Sequence, residues 1–99
     1  MASVAVDLLT AQMNNAVLRL PERRYPGVLV QGDTLASLAD LACTIERLLP
    51  PNADTSLIES TRELRERLDS MLRFYEVTLE AAGIQLPYAR DPHRGEDSK

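Results

Sequence analysis

The sequence predicts an α+β fold in which a three-stranded antiparallel meander is packed on one face by two antiparallel helices, in the order βββαα. Two observations predict it. Residues 3–31 contain three short apolar runs separated by turn-forming residues, whereas residues 34–82 carry apolar side chains at the three- and four-residue spacing of helices. A length of 99 residues fits one small domain. We expect a single α+β domain over residues 1–89, ending in a short extended segment, and a disordered polar tail over residues 90–99.

The three predicted strands cover residues 3–9, 15–20 and 27–31. Pro21 and Pro26 cannot donate hydrogen bonds to a sheet, so the residues between the second and third strands form a connection, the tip of a hairpin. Alternation along the strands predicts one apolar face suited to a core. This face comprises Val4, Val6, Leu8, Ala16, Leu18, Leu20, Val28 and Val30.

The third strand is expected to lead directly into the first helix, over residues 34–49. Gly32 permits an unusual φ at this junction, and Asp33 or Thr34 can accept a hydrogen bond from the free N–H groups that open a helix. An architectural role for this junction is favoured over ligand binding.

The second helix is predicted over residues 56–82, with Ser56 and Glu59 forming a capping box and Gly83 ending the helix. Its charged residues are expected on the solvent side, where Arg65 and Asp69 have ion-pair spacing. A heptad seam faces either the rest of the chain, which is favoured, or a second copy in a homodimer. The seam comprises Leu57, Thr61, Leu64, Leu68, Met71, Tyr75, Thr78 and Ala82.

Composition excludes several classes of function. A hydrophobic content of 44% and a charged content of 26% are globular values. The net charge of −4 disfavours nonspecific binding to nucleic acid or to an anionic membrane. One cysteine allows neither an internal disulfide nor a zinc cluster, so Cys43 is expected to be a buried thiol. The N-terminus lacks the features of a signal peptide, and no segment is long enough to span a bilayer, so we expect a cytoplasmic protein.

The search for chemistry yields no catalytic constellation, no cofactor motif and no metal-ligand cluster, so we expect the protein not to be an enzyme. The single histidine, His93, is expected to be solvated in the tail. At the hairpin tip, arginines lie near a tyrosine, and these residue types suit contact with a partner. Beside the seam of the second helix lies a further apolar strip. Either the C-terminal segment folds back and covers this strip, or a partner does. The candidate partner-binding residues are Arg19, Arg23, Arg24, Tyr25, Phe74 and Val77.

The stretch from Asn15 to Leu35 resembles a family of small uncharacterised bacterial proteins with the approximate signature NxAVxRLPxRx[FY]PGVxxQGD[ST]L. These proteins also tend to end near a sequence like that from Gly83 to Tyr88, so the resemblance covers most of the chain. At the position of Glu22, the resemblance leads us to expect glycine. The resemblance brings no activity with it.

A shorter stretch, Pro26 to Leu35, is similar to HicB-type antitoxins, in which such a segment runs from a strand into a helix. This similarity implies a small antitoxin that covers a toxin nuclease. The long second helix and the lack of a DNA-binding appendage depart from that pattern.

Together these observations favour a protein–protein interaction module, with an immunity- or antitoxin-like inhibitor of a toxic enzyme as its concrete form. The alternatives are a small nucleic-acid-binding regulator that uses the hairpin arginines, and a homo-oligomeric structural protein that associates through the seam over residues 56–82. A small enzyme that uses surface carboxylates is a further, less favoured alternative. The expected partner is a protein, such as a toxin or effector.

Overall fold

The computed structural model describes residues 2–89; the tail predicted to be disordered, which includes His93, lies outside the described residues. The order of elements is three strands followed by two helices, as predicted. The chain divides into two compact units, Met1–Gln31 with the sheet and Gly32–Lys99 with the helices. The elements are β1 (Asp7–Leu8), β2 (Val17–Arg19), β3 (Gly27–Val28), α1 (Gly32–Leu48) and α2 (Thr55–Ala82).

The sheet is an antiparallel meander in the order β1-β2-β3, which confirms the predicted topology. Its strands are shorter than predicted. The backbone of Asn15 has a φ of 62°, in the left-handed region, so β2 cannot extend back to this residue. Just beyond the strands, the N–H of Leu29 donates to the carbonyl of Ala16 at 2.8 Å, and the N–H of Leu9 donates to the carbonyl of Val17 at 2.8 Å.

The register corrects the predicted core face. Leu18 pairs with Gly27, so the side chain of Leu29, two residues further on, shares the face of Leu18. Val28 pairs with Val17 and therefore lies on the opposite face, contrary to the prediction. Alternation within a strand fixes which residues share a face, but only pairing fixes which face that is. Of the predicted core residues, Ala16 is buried, Leu18 and Val30 are half-buried, and Val4, Val6, Leu8, Leu20 and Val28 are exposed.

The helical unit is an antiparallel pair. Tyr75 of α2 lies against Gly32 at the start of α1, whereas Arg65 of α2 contacts Glu46 near the end of α1. Small residues on α1 permit a close approach of the two helices, and Cys43 is buried among them, as expected. The buried residues of α1 are Gly32, Leu35, Ala36, Ala39, Ala42 and Cys43, and those of α2 are Thr61, Arg65 and Leu72.

The start of α1 corrects one prediction and confirms another. The Oδ1 atom of Asp33 accepts a hydrogen bond from the N–H of Thr34 at 2.8 Å, as expected for a residue at a helix start. Gly32, however, does not use the left-handed region. What this position requires is small size, because a Cβ atom on Gly32 overlaps the ring of Tyr75.

The ends of α2 are closed by two different devices. Asp54 is the N-cap, and its Oδ1 atom accepts a hydrogen bond from the N–H of Ser56 at 2.8 Å, so the predicted capping box with Ser56 as the cap is wrong. Gly83 ends the helix as predicted, with a φ of 70°. Its N–H donates to the carbonyl of Glu80 at 3.1 Å, and the N–H of Ile84 donates to that of Leu79 at 2.9 Å. This is the Schellman pattern, which satisfies carbonyls left free by the helix end.

The row of α2 that packs on α1 differs from the predicted seam. Thr61, Leu68 and Tyr75 belong to both rows, but Leu64 and Arg65 exchange places: Leu64 is exposed and Arg65 is buried. Hydrophobicity predicted that Leu64 rather than Arg65 faces α1. The structure buries Arg65 instead, because carboxylates surround its guanidinium. The observed row is Ile58, Thr61, Arg65, Leu68, Leu72, Tyr75 and Leu79.

Candidate partner-binding surfaces

The hairpin tip, residues 21–26, is exposed throughout and connects β2 to β3. The N–H of Arg23 donates to the carbonyl of Leu20 at 3.2 Å, which closes the turn. Tyr25 is 73% exposed, and the guanidinium carbon of Arg24 lies 5.4 Å from the centre of its ring. This distance is that of a cation–π contact, so Arg24 and Tyr25 form one amphipathic element on the surface of the sheet unit.

Arg19 is placed differently from the other candidate arginines. It lies on β2 opposite Asp7 of β1, and its Nη2 atom is 2.9 Å from Oδ2 of Asp7. The guanidinium is therefore engaged in a cross-strand ion pair on the sheet. The tip thus offers Arg23 and Arg24, with Glu22 beside them, and Arg19 is set back from it.

Glu22 holds a strained backbone conformation at the tip. Its φ is 65°, in the left-handed region that glycine adopts freely and that costs other residues about 1–2 kcal/mol. The resemblance described above led us to expect glycine at this position. The left-handed φ of Glu22 gives a physical reason for that expectation, because glycine adopts this region without strain.

We expect Glu22→Gly to raise the free energy of unfolding by about 0.5–1 kcal/mol. Glycine removes the backbone strain of the folded state, and the greater conformational entropy that it gives the unfolded chain offsets only part of this gain. Urea unfolding of the full chain measures this difference. Glu22→Ala is the matched control, because it removes the same carboxylate but keeps a Cβ atom at a positive φ. Equal stability of the two variants would contradict the strain.

Phe74 and Val77 form an apolar pair on the outer side of α2. They are three positions apart in the sequence, so they are neighbours on the helix surface, and they are 76% and 52% exposed. Their exposure shows that the predicted strip exists. They belong to the helical unit and constitute a second candidate surface.

The C-terminal segment folds back on α2, but on another side than predicted. The hydroxyl of Tyr88 donates to Oε2 of Glu76 at 2.7 Å. Ile84 and Leu86 line a shallow groove of about 320 Å³ together with Glu76 and Glu80. Of the two alternatives for Phe74 and Val77, cover by this segment is therefore wrong, because both side chains stay exposed. Its anchor is a tyrosine–carboxylate hydrogen bond, which apolar patterning does not reveal.

A cluster of charged side chains lies between the two helices. The Nε atom of Arg65 is 2.5 Å from Oε1 of Glu46, and its Nη1 atom is 3.2 Å from Oδ2 of Asp69. The side chain of Arg65 is only 10% exposed. Burial lowers the pKa of Arg65, but the hydrogen bonds that it donates to Asp69 and Glu46 outweigh this effect and raise the pKa above its usual value.

The i,i+4 spacing of Arg65 and Asp69 predicted their pairing, although on the solvent side. Because Glu46 lies within the apolar stripe of α1, the sequence left two alternatives for it, exposure to solvent or pairing with an arginine. The structure shows the pairing, and the arginine is Arg65 of the other helix. The cluster joins α1 to α2 and carries no feature that points to a ligand.

The sheet unit has an open depression of about 350 Å³ that Leu8, Leu18 and Leu29 line together with Gln12 and Gln31. These leucines come from all three strand regions and share the face defined by the register. Within residues 2–89, no group of three or more His, Cys, Asp or Glu side chains is arranged to hold a metal ion. Over the same residues, no helix has the length and apolarity required to cross a membrane.

These features define a small α+β protein with a meander sheet, an antiparallel helix pair and exposed amphipathic surfaces on both units. The chain belongs to the DUF6959 family, a family of unknown function, whose model matches residues 1–88. No curated protein and no solved structure matches the chain significantly. The family match confirms the coarser part of the resemblance, a family without an assigned function.

Proposed function

We propose that the chain is a protein–protein interaction module and that the hairpin tip is its partner-binding surface. The observation that carries this proposal is the pairing of Arg24 with the exposed ring of Tyr25. Arginine and tyrosine are enriched among the residues that dominate binding energy at interfaces. Their contact in the free protein holds both side chains near one geometry, which reduces the entropy lost on binding.

The backbone of the tip supports the same proposal. Pro21 and Pro26 fix φ at each end, and the hydrogen bond from Arg23 to Leu20 closes the turn between them. A preorganised loop presents its side chains at a lower entropic cost than a flexible one. The strained Glu22 is typical of a segment whose conformation is set by more than local preference.

The concrete form of this proposal is an immunity- or antitoxin-like inhibitor of a toxic enzyme in the bacterial cytoplasm. The similarity of Pro26–Leu35 to HicB-type antitoxins supports it, and so does the net charge of −4 on a small chain, which suits a basic partner. The two arginines of the tip then contact carboxylates of the same partner. Such a protein acts by occupying a surface and needs no catalytic group of its own.

The nucleic-acid-binding alternative has less support. Arg19 is engaged with Asp7, and Glu22 adds a negative charge to the tip, so the basic patch comprises two arginines within an acidic chain. A second candidate for the partner-binding surface is the pair Phe74 and Val77, and a separate variant at these two residues tests it.

The test is affinity capture with the tagged full chain in its native cells at moderate salt, followed by mass spectrometry and nucleic-acid staining. We expect one stoichiometric protein with the wild-type chain. The variant Arg23→Ala/Arg24→Ala/Tyr25→Ser removes the tip side chains, and we expect at least about a 100-fold loss of affinity because these are hot-spot residue types.

The matched control is Arg67→Ala/Arg73→Ala, which removes two exposed arginines from α2. It changes the net charge equally and leaves the tip intact, so we expect it to retain the partner. If both variants lost the partner protein equally, the binding would be a nonspecific effect of net charge, and the proposal would be overturned. Nucleic acid in the eluate without a protein would overturn it in favour of the regulator.

A further inference from the structure

The helix pair has an apolar side that is exposed. On α1 it consists of a row of residues, each of which comes one position before a residue of the buried row that faces α2. Leu38 precedes Ala39, and Leu41 precedes Ala42. In the same way Ile45 precedes Glu46, the residue that contacts Arg65. The row therefore lies roughly 100° around the helix from the buried row. Its members are exposed despite being apolar.

α2 repeats this arrangement. Leu57, Leu64 and Met71 recur every seven residues and immediately precede Ile58, Arg65 and Leu72 of the row that faces α1. They were part of the predicted seam, but the structure turns them away from α1. Across both helices, the six residues are 42–56% exposed.

The two rows lie on the same side of the helix pair. Each is displaced from its buried row by one residue toward the N-terminus, which is the same sense of rotation about each helix axis. Because the helices are antiparallel, rotations in the same sense lead to the same side of the pair. We call this side the uncharged side; it comprises Leu38, Leu41, Ile45, Leu57, Leu64 and Met71.

Charged residues mark the opposite side of the pair. The residues that immediately follow the buried rows lie there. The charged ones are Asp33, Asp40 and Arg47 on α1 and Glu59, Arg62, Glu66, Asp69, Arg73, Glu76 and Glu80 on α2. At the outer edge of the uncharged side, Arg67 is paired with Glu63 at 2.9 Å. The helix pair is therefore polarised across its width.

The size of the uncharged side fits a weak but specific interface. A helix of 17 residues is about 25 Å long, and two packed helices are roughly 20 Å wide, which gives about 500 Å² per chain. Two copies then bury about 1,000 Å² in total, near the lower limit for specific interfaces. We expect a dissociation constant in the micromolar range.

We propose that a second copy of this chain covers the uncharged side, so that two helix pairs form a four-helix bundle. The net charge of −4 makes two copies repel, and they meet with least repulsion on this side, where the charges named above, Arg67 and Glu63, form a neutral ion pair at the edge. A side with so few charges also offers little to select a different partner. A twofold axis places this side against its own counterpart, the isologous arrangement most common in dimers.

The dimer uses the helical unit and leaves the hairpin tip to the proposed partner, so the two proposals fail separately. Sedimentation equilibrium of the purified full chain from roughly 1 to 500 µM tests the dimer without any partner. We expect the mass to rise from 11.0 kDa toward twice that value. We expect the hairpin-tip variant to dimerise like the wild type.

Ile45→Glu and Leu64→Glu each place a charge on the uncharged side twice per dimer, and we expect the dissociation constant to increase by roughly 100-fold or more. Thr44→Glu is the matched control, because it adds the same charge to an exposed position of α1 away from this side. Circular dichroism confirms that each variant is folded, and Leu64→Gln replaces Leu64→Glu if the latter unfolds. A wild-type chain that stays monomeric throughout the range, or an equal effect of Thr44→Glu, would overturn the proposal.

Discussion

Arg65→Met is expected to lower the free energy of unfolding by roughly 2–4 kcal/mol, since it removes the buried cation that hydrogen-bonds to both Glu46 and Asp69 between the helices. Glu46 then keeps only the longer ion pair with the exposed Arg62, at 3.7 Å. The side chains of Glu46 and Asp69 are 25% and 19% exposed, so water relieves part of this cost. Methionine has a similar length to the aliphatic part of arginine, and the loss therefore reflects charge more than volume. Urea unfolding of the full chain measures it.

Arg67→Met is the matched control for this experiment. Arg67 also has an i,i+4 carboxylate partner, Glu63 at 2.9 Å, but its side chain is 75% exposed. A solvent-exposed pair of this kind contributes about 0.3–0.5 kcal/mol. Similar losses for Arg65→Met and Arg67→Met would show that Arg65 behaves as a surface residue and would contradict the buried cluster.

Gly32→Ala is expected to lower the free energy of unfolding by about 1–3 kcal/mol, although alanine is the better helix former. The added Cβ atom overlaps the ring of Tyr75, so the ring must move away from the start of α1. In a Tyr75→Ala background this obstacle is absent, and the same substitution should become neutral or stabilising. Urea unfolding of the four proteins completes this double-mutant cycle.

Gly27→Ala provides a control for the loss of a glycine. A Cβ atom at Gly27 meets nothing within 4 Å, so we expect a change within about 0.5 kcal/mol. An equal cost of Gly32→Ala with and without the ring of Tyr75 would contradict the close approach. It would indicate instead that the helix start tolerates no side chain at this position for a backbone reason.

The order of elements followed from signals that act within each element. The change from alternating to helical spacing near Gly32 separated sheet from helices, and Gly83 marked the end of α2 through its left-handed φ. These predictions succeeded because period and glycine conformation are local properties. The N-cap was placed two residues too late, because both Asp54 and Ser56 are good capping residues and only geometry decides between them.

The errors concern relations between elements. The side chains of β3 were assigned to the wrong faces of the sheet. The alternation of residues within β3 does not reveal how this strand pairs with Val17 and Leu18. Arg65 was placed in solvent because its burial depends on Glu46, nineteen residues earlier on another helix. Of the candidate site, the tip was predicted by its prolines and arginines, whereas the ion pair of Arg19 depends on the strand register.

The most direct test of the central claim, that the hairpin tip binds a protein partner, is the amount of partner captured per mole of full-length chain by three proteins. These are the wild type, the Arg23→Ala/Arg24→Ala/Tyr25→Ser variant and a Phe74→Ser/Val77→Ser variant. We expect the wild type and the Phe74/Val77 variant to capture the same protein in equal amounts, and the tip variant to lose it. Retention by the tip variant, with loss from the Phe74/Val77 variant, would contradict the claim and place the partner on α2.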